Sequence, residues 1–228
     1  MLKTELHTHI KADPQNGKLI KYSAFELIDR AAELNFQVLA ITCHDFVYEN
    51  EEAREYARKK GILLLAGMEK TLQGKHTLLY NLSNEEAQQI KTFTELRYYK
   101  KAHPEVLVIA PHPFHWQWTC LKDKIVEDLE LFDLWEINFF HTKRINPNLK
   151  TKRLAERHHK HLVGCSDVHD LADLGHCYTL VDAPLHEESF WQALREGKTK
   201  VVEKALSTRE FMQIIFRLML SPLRRLLP

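Results

Sequence analysis

Short apolar runs alternate with charged, amphipathic stretches along most of the chain. The opening run "LKTELHTH" reads as a strand. Residues 22–34 read as a helix: Phe25, Leu27, Ile28, Ala31 and Ala32 form its apolar face, Ser23 is a plausible N-cap, and Glu26 follows three residues on. "QVLAITCHD" is a buried strand, "NEEAREYARKKG" a charged helix stopped by Gly61, and "ILLLAGME" another strand. "TLQGKHTLLYNL" reads as two strands turned at Gly74, and residues 84–101 as one long helix. Further along, "EVLVIAPHPF", "LWEINFF", "HLVGCSD" and "CYTLVDA" read as strands. "KDKIVEDLELF", residues 148–160 and "EESFWQALREGK" read as helices.

This alternation predicts βα units and a parallel sheet. About seven strands with buried apolar runs favour a single-domain α/β barrel over a doubly wound open sheet. No glycine-rich phosphate loop follows any strand, which counts further against the open sheet. The barrel pattern is finished after Gly197, so residues 1–203 are assigned to the barrel and residues 204–228 to a C-terminal amphipathic helical tail. Ser207 or Thr208 would cap that helix, which should run to Ser221, before Pro222. Glu210, Gln213 and Arg217 make a narrow polar stripe; Phe211, Met212, Ile214, Ile215, Phe216, Leu218, Met219 and Leu220 cover the rest. Such a helix is too apolar to stand free and too short to span a bilayer. It is expected to pack on the barrel, to pair in a homo-oligomer, or to lie on a membrane surface, as Arg217, Arg224 and Arg225 would suggest.

The formal net charge of +1 gives no global field for nucleic acid, and no specific nucleic-acid binding is expected. Cys43, Cys120, Cys165 and Cys177 form no C-x-x-C pair and read as reduced thiols of a cytoplasmic protein. Cys43 is expected to be small and buried. The opening residues lack the apolar run of a signal peptide.

Fourteen histidines change the picture, because neutral imidazole is the commonest protein metal ligand. His158, His159 and His161 fall on a charged helix end and read as surface. Six others sit, with candidate carboxylates, where apolar runs stop: His7 and His9, His44 with Asp45, Glu69, His76 just past Gly74, His112, Glu136 with Asn138, and Asp167 with His169. The strand ends of an α/β barrel converge on one face, so these side chains are predicted to meet. Burying so many imidazoles and carboxylates costs several kcal/mol unless they are paired or bound to cations.

The motifs "LHTH", "LAITCHD", "GMEKTLQGKHTLL", "APHP", "WEIN" and "GCSDVHDLADLG", in that order, resemble those of the PHP (polymerase and histidinol phosphatase) superfamily from about residue 2 to residue 203. The resemblance implies a distorted (β/α)7 TIM-like barrel and a metal-dependent phosphoesterase with two or three divalent ions. It implies that His7 and His9 are the first ligand pair, that Glu69 bridges two ions, and that Asp167 completes the first site. His76 and His112 would serve the second ion; His44, His169 and Asp13 a third. Glu69, Asp167 and His169 are the candidate catalytic residues. The chain departs from the family pattern at Asp13, which Pro14 follows, and at Cys43, where the family often has Asp. The donors suit Mn, Fe or Zn better than Mg or Ca.

Asp45, Glu136 and Asn138 could orient ligands from behind. Lys11, His115, His141, Lys143 and Arg144 lie past strand ends and could bind the phosphate of a small ester such as a nucleotide or sugar phosphate. Trp116 and Trp118 could stack on a base. The alternatives are an amidohydrolase-type hydrolase of C–N bonds and a non-catalytic metal-binding scaffold.

Overall fold

The first strand, β1 (Leu2–Glu5), pairs in parallel with β2 (Val38–Ile41), and β2 pairs in parallel with β3 (Leu63–Leu72). The structure is a computed structural model describing residues 1–225. Between β1 and β2, α1 (Ala24–Glu33) begins at the expected capping box of Ser23 and Glu26. Between β2 and β3, α2 (Glu51–Lys59) is capped by the Asn50 side chain.

At the end of β3 the chain reverses through Gln73 and Gly74, both at positive φ (48° and 79°), and returns antiparallel as β4 (Lys75–Tyr80). Two central residues at positive φ are what a tight right-twisted hairpin requires. β4 then pairs antiparallel with β5 (Leu107–Ala110), which continues in parallel through β6 (Leu134–Asn138) to β7 (His161–Cys165). On the other side of β1 lie β8 (Cys177–Val181) and β9 (Thr199–Glu203), each antiparallel to its neighbour. The order is β7-β6-β5-β4-β3-β2-β1-β8-β9. By these pairings β1, β2, β3, β5, β6, β7 and β9 run one way and β4 and β8 the other. The sheet is an α/β barrel, but not uniformly parallel, and β9 lies where no strand was expected.

The edge strands approach one another to close the barrel through side chains. Thr179 Oγ1 accepts from Gly164 N (2.8 Å) and donates to Gly164 O (3.0 Å); Ser166 Oγ donates to Cys177 O and Thr199 Oγ1 to Leu162 O. The close approach depends on Gly164: a Cβ there would lie 2.8 Å from Tyr178 O and 2.9 Å from Cys177 Sγ. Leu6, Val38, Leu65, Leu78, Ile109 and Val163 belong to one buried cluster.

The long helix expected over residues 84–101 is two helices, α3 (Asn84–Gln89) and α4 (Phe93–Ala102). Thr92 and Glu95 form a second capping box, which starts a new helix and breaks the first at the extended Ile90. The remaining helices are α5 (Lys124–Glu127), α6 (Asn148–Arg157) and α7 (Glu187–Arg195).

The tail forms α8 (Thr208–Arg225), which passes the expected stop at Ser221 and continues through Pro222. A proline near the end of a helix removes few backbone bonds, which limits its cost there. Phe211 is buried and stacks on Phe140, with centroids 4.7 Å apart and planes at 14°. Ile214 and Ile215 pack beside Ile137, Phe139 and Leu206. Met212, Phe216 and Met219 are exposed. The side chains of Leu218, Leu220, Arg224 and Arg225 lie outside the described residues. No described helix is long and apolar enough to cross a membrane.

Candidate metal centre

The strand ends bring most of the expected donors to one place. His7 and His9 follow β1, His44 follows β2, Glu69 lies in β3 and His76 in β4; His112 follows β5, and Asp167 and His169 follow β7. Backbone bonds tie the first and last of these segments: His9 N donates to Val168 O (3.0 Å) and Val168 N to His7 O (3.1 Å). His112 and Asp167 have positive φ (29° and 46°), uncommon for residues with side chains. Such strain persists where surrounding structure enforces it, and it often marks a functional position.

Four donor atoms surround a common centre. His7 Nε2 is 3.4 Å from both Glu69 Oε2 and Asp167 Oδ1, and His9 Nε2 is 3.5 and 3.4 Å from the same two oxygens. His7 Nε2, His9 Nε2 and Asp167 Oδ1 are buried and without a hydrogen-bond partner. Buried polar atoms are rarely left so. Donors about 2.1 Å from one ion in a tetrahedral arrangement stand about 3.4 Å apart, so the spacing fits a shared cation better than hydrogen bonds. The other Glu69 oxygen faces a second group: Oε1 is 2.7 Å from His76 Nδ1 and 3.1 Å from His112 Nε2. A third group, His9, His44 and His169, also brings one nitrogen from each within 4.8 Å of the others.

The far sides of the rings are held from behind. Glu136 Oε2 is 2.8 Å from His7 Nδ1, and Asn138 Nδ2 donates to Glu136 Oε1. Asp13 Oδ2 is 2.9 Å from the Nδ1 of both His9 and His44. A carboxylate behind Nδ1 fixes the proton there and leaves the Nε2 lone pair facing the centre.

Electrostatics tell the same story. Burial opposes ionisation of Glu69, yet the imidazoles of His7 and His76 hold its pKa well below the usual carboxylate value. Burial likewise opposes ionisation of Asp167, and His7 and His169 overcome it. Burial disfavours the charged form of His44, but hydrogen bonds that its ring donates to the Asp13 and Glu69 carboxylates raise its pKa to about 10. Without an ion, the cluster keeps its carboxylates ionised by protonating imidazoles; a divalent cation would take the place of those protons.

Several expected residues stand elsewhere. Asp13 was expected among the ligands, but its two oxygens are committed to His9, His44 and the backbone N–H groups of His44, Gln15 and Asn16. It orients imidazoles instead. Asp45 accepts from Thr71 N and Gln15 Nε2, so it ties β3 to the loop after β1. Of the expected phosphate-binding residues, Lys11 and Arg144 are exposed and do not line the central cavity. His141 is buried against Asn138 O and Asn148 and does not line it either. His115 does line it, but its Nε2 is 3.2 Å from Asn148 Oδ1, and burial lowers its pKa to about 4. Trp116 and Trp118 are exposed; Trp116 meets Phe140 edge-on at 5.9 Å. Cys43 is buried, as expected, and all four cysteines are free.

The cavity above the cluster has a volume of about 660 Å³. The basic side chains on its wall are Lys21 and, from α8, Arg217. Arg217 was expected on the polar stripe of the tail helix and, with Arg224 and Arg225, as a candidate membrane contact, not at the cavity. Its approach to Asp170 and Asp173 depends on how α8 docks, which no local signal encodes.

Residues 146–199 match the family described as PHP-associated. The fold is similar to that of a two-domain protein from Bacteroides vulgatus containing a predicted PHP-like metal-dependent phosphoesterase. The TM-score is 0.68 at 18% identity, over 94% of this chain and 69% of that one. It is also similar to PsfC from Pseudomonas syringae, with a TM-score of 0.64 at 14% identity, over 97% of this chain and 98% of that one. An amidohydrolase from Chromobacterium violaceum, with bound sulfate and no metal, gives a TM-score of 0.55 at 17% identity, over 86% of this chain and 97% of that one. A comparison with curated proteins gives no match.

Proposed function

We infer that this chain, a PHP-superfamily protein, is a metal-dependent hydrolase whose substrate is a phosphate ester. The observation that carries the reading is the quartet of His7 Nε2, His9 Nε2, Glu69 Oε2 and Asp167 Oδ1, of which both imidazole nitrogens and the Asp167 oxygen are buried and unpartnered. These four would hold one ion. Glu69, through its other oxygen, would hold a second together with His76 and His112, while His44 and His169 would serve a third. Bound divalent ions in such a site activate water and offset charge on phosphoryl oxygens. The mixed nitrogen and oxygen donors suit Mn, Fe or Zn.

The chain's own residues do the rest. Glu136 and Asp13 hold the Nδ1 protons of His7, His9 and His44, so each Nε2 stays an acceptor aimed inward. His169 stands beside the quartet, its Nδ1 3.0 Å from Asp167 O. His169 lines the cavity, so its ring is within reach of a bound substrate. Four free cysteines fit a reducing compartment such as the cytoplasm. A second reading, hydrolysis of a C–N bond, draws on the similarity to the amidohydrolase fold.

The test is a stripped and reloaded protein. After chelation and reloading with Mn, Fe(II) or Zn, it is assayed on a panel of phosphate esters and a panel of amides. Phosphate release that chelation abolishes and reloading restores is the expected outcome. Turnover of amides alone would replace the first reading by the second. Glu69→Gln should lose metal from two sites by elemental analysis; full occupancy in that variant would overturn the bridging role.

A further inference from the structure

One wall of the cavity is built by a segment outside the run of barrel strands. Besides the His and carboxylate cluster, the lining includes Leu19, Ile20, Phe139, Phe140, Leu171 and Ile214. Ile214 comes from α8. Lys21 also lines the cavity, while several other polar groups of the lining are committed within the protein. Asn138 accepts from Phe140 N and donates to Glu136. Glu26 accepts from Ser23 in the capping box of α1. The Arg217 guanidinium is paired with Asp170 Oδ2 at 2.8 Å and with Asp173.

We propose that α8 completes an apolar subsite for the leaving group, so that the preferred substrates are phosphate esters of compact hydrophobic alcohols or phenols rather than of sugars. The proposal rests on the phosphoesterase reading above. A sugar hydroxyl against this wall would give up water for apolar contacts, whereas an apolar group there loses nothing by leaving water. Arg217 is a positioning residue. Asp170 and Asp173 follow His169, so the pairing ties α8 to the loop that carries two of the candidate ligands. The stack of Phe211 on Phe140 fixes the same helix nearer its start.

The experiment uses the full chain loaded with Mn. Benzyl phosphate and glycerol 3-phosphate both release a primary alcohol and differ chiefly in polarity. Benzyl phosphate should show a KM lower by about 10-fold or more, the scale set by burying one aromatic side group at ~1.5–3 kcal/mol. Ile214→Asn should raise the KM for benzyl phosphate by roughly 5- to 10-fold with kcat little changed, and leave glycerol 3-phosphate unaffected. Arg217→Ala should act in the same direction, and Arg217→Lys should recover part of the loss. Phe216→Asn, on the exposed face of the same helix, should change neither KM.

Equal KM values for the two esters in the unaltered protein would overturn the proposal. So would an Ile214→Asn variant that affects both esters alike. Benzylphosphonate, which cannot be hydrolysed at the P–C bond by this route, separates the subsite from the chemistry. If no ester turns over but benzylphosphonate binds by calorimetry and Ile214→Asn weakens it, the phosphoesterase reading fails and the subsite stands. If esters turn over and benzylphosphonate binds no better than methylphosphonate, the subsite fails and the phosphoesterase reading stands.

Discussion

Glu5 lies fully buried below the cluster, where its carboxyl accepts hydrogen bonds from His7 N (3.1 Å) and Ser166 N (3.0 Å). Burial outweighs those bonds and raises its pKa to about 8. In an unfolded chain a glutamate titrates near ~4.3. Below that value both states hold the proton and Glu5 contributes nothing to the pH slope. Between there and about 8 the folded state keeps a proton that the unfolded state has lost, so its contribution to stability declines as pH rises and then levels. Glu5→Gln has no charge to lose. The Tm of this variant relative to the parent, followed by circular dichroism at fixed metal, should therefore rise from pH 5 to pH 8.5; a constant difference would sink the assignment. Single residues differed in how openly the sequence declared them. His7, His9, His44, Glu69, His112, Asp167 and His169 end or closely follow apolar runs, and the convergence of strand ends brings them together. The family resemblance implies Asp13 as a ligand, but the conformation of its loop is not a periodic property that a sequence shows: Gly17 lets the chain fold tightly back, and a Cβ there would stand 2.3 Å from Lys11 O. Arg144 and His141 also lie past a strand end, but that position alone does not tell a side chain which way to face.

At the scale of elements, the weakest seam of the sheet is where β7 meets β8 and β9 through threonine and serine hydroxyls rather than a continuous backbone ladder. Gly164→Ala would push a methyl group to 2.8 Å from Tyr178 O, and a backbone atom cannot step aside as a flexible side chain can. Overpacking of this kind costs about 1–3 kcal/mol. For a chain of this size each kcal/mol moves the midpoint by about 2–4 °C, so a drop of roughly 2–12 °C is expected in a thermal scan. An unchanged Tm would mean that the seam is not held closed in solution. The apolar runs and the hairpin at Gly74 were legible because their signals are local. β9 was not, because "TKVVE" is half-exposed and is a strand by virtue of its partner β8. The break between α3 and α4 was legible in principle, since Thr92 and Glu95 spell a capping box, but the longer helical periodicity hid it.

Across the whole molecule, the candidate ligands come from segments on both sides of the sheet order, so one bound ion would tie β1, β3 and the end of β7 together. Ligand that binds only the folded state at 100 times its Kd adds about 2.7 kcal/mol. Dialysis against a chelator should therefore lower Tm by roughly 5–11 °C relative to the Mn-saturated protein. A midpoint indifferent to chelator would show that the cluster closes without an ion. The same arrangement sets a schedule for the chain as it is made. His169 leaves a ribosome 162 residues after His7 by their numbers (169 − 7). At ~5–20 residues per second that interval lasts roughly 8–30 s. Until nearly its end the first histidines lack Asp167, which follows β7, and the nascent chain has no complete cage to offer a metal. Loading therefore waits until the segment after β7 is made, and an ion that then reaches the cluster meets a cavity that α8 helps to line.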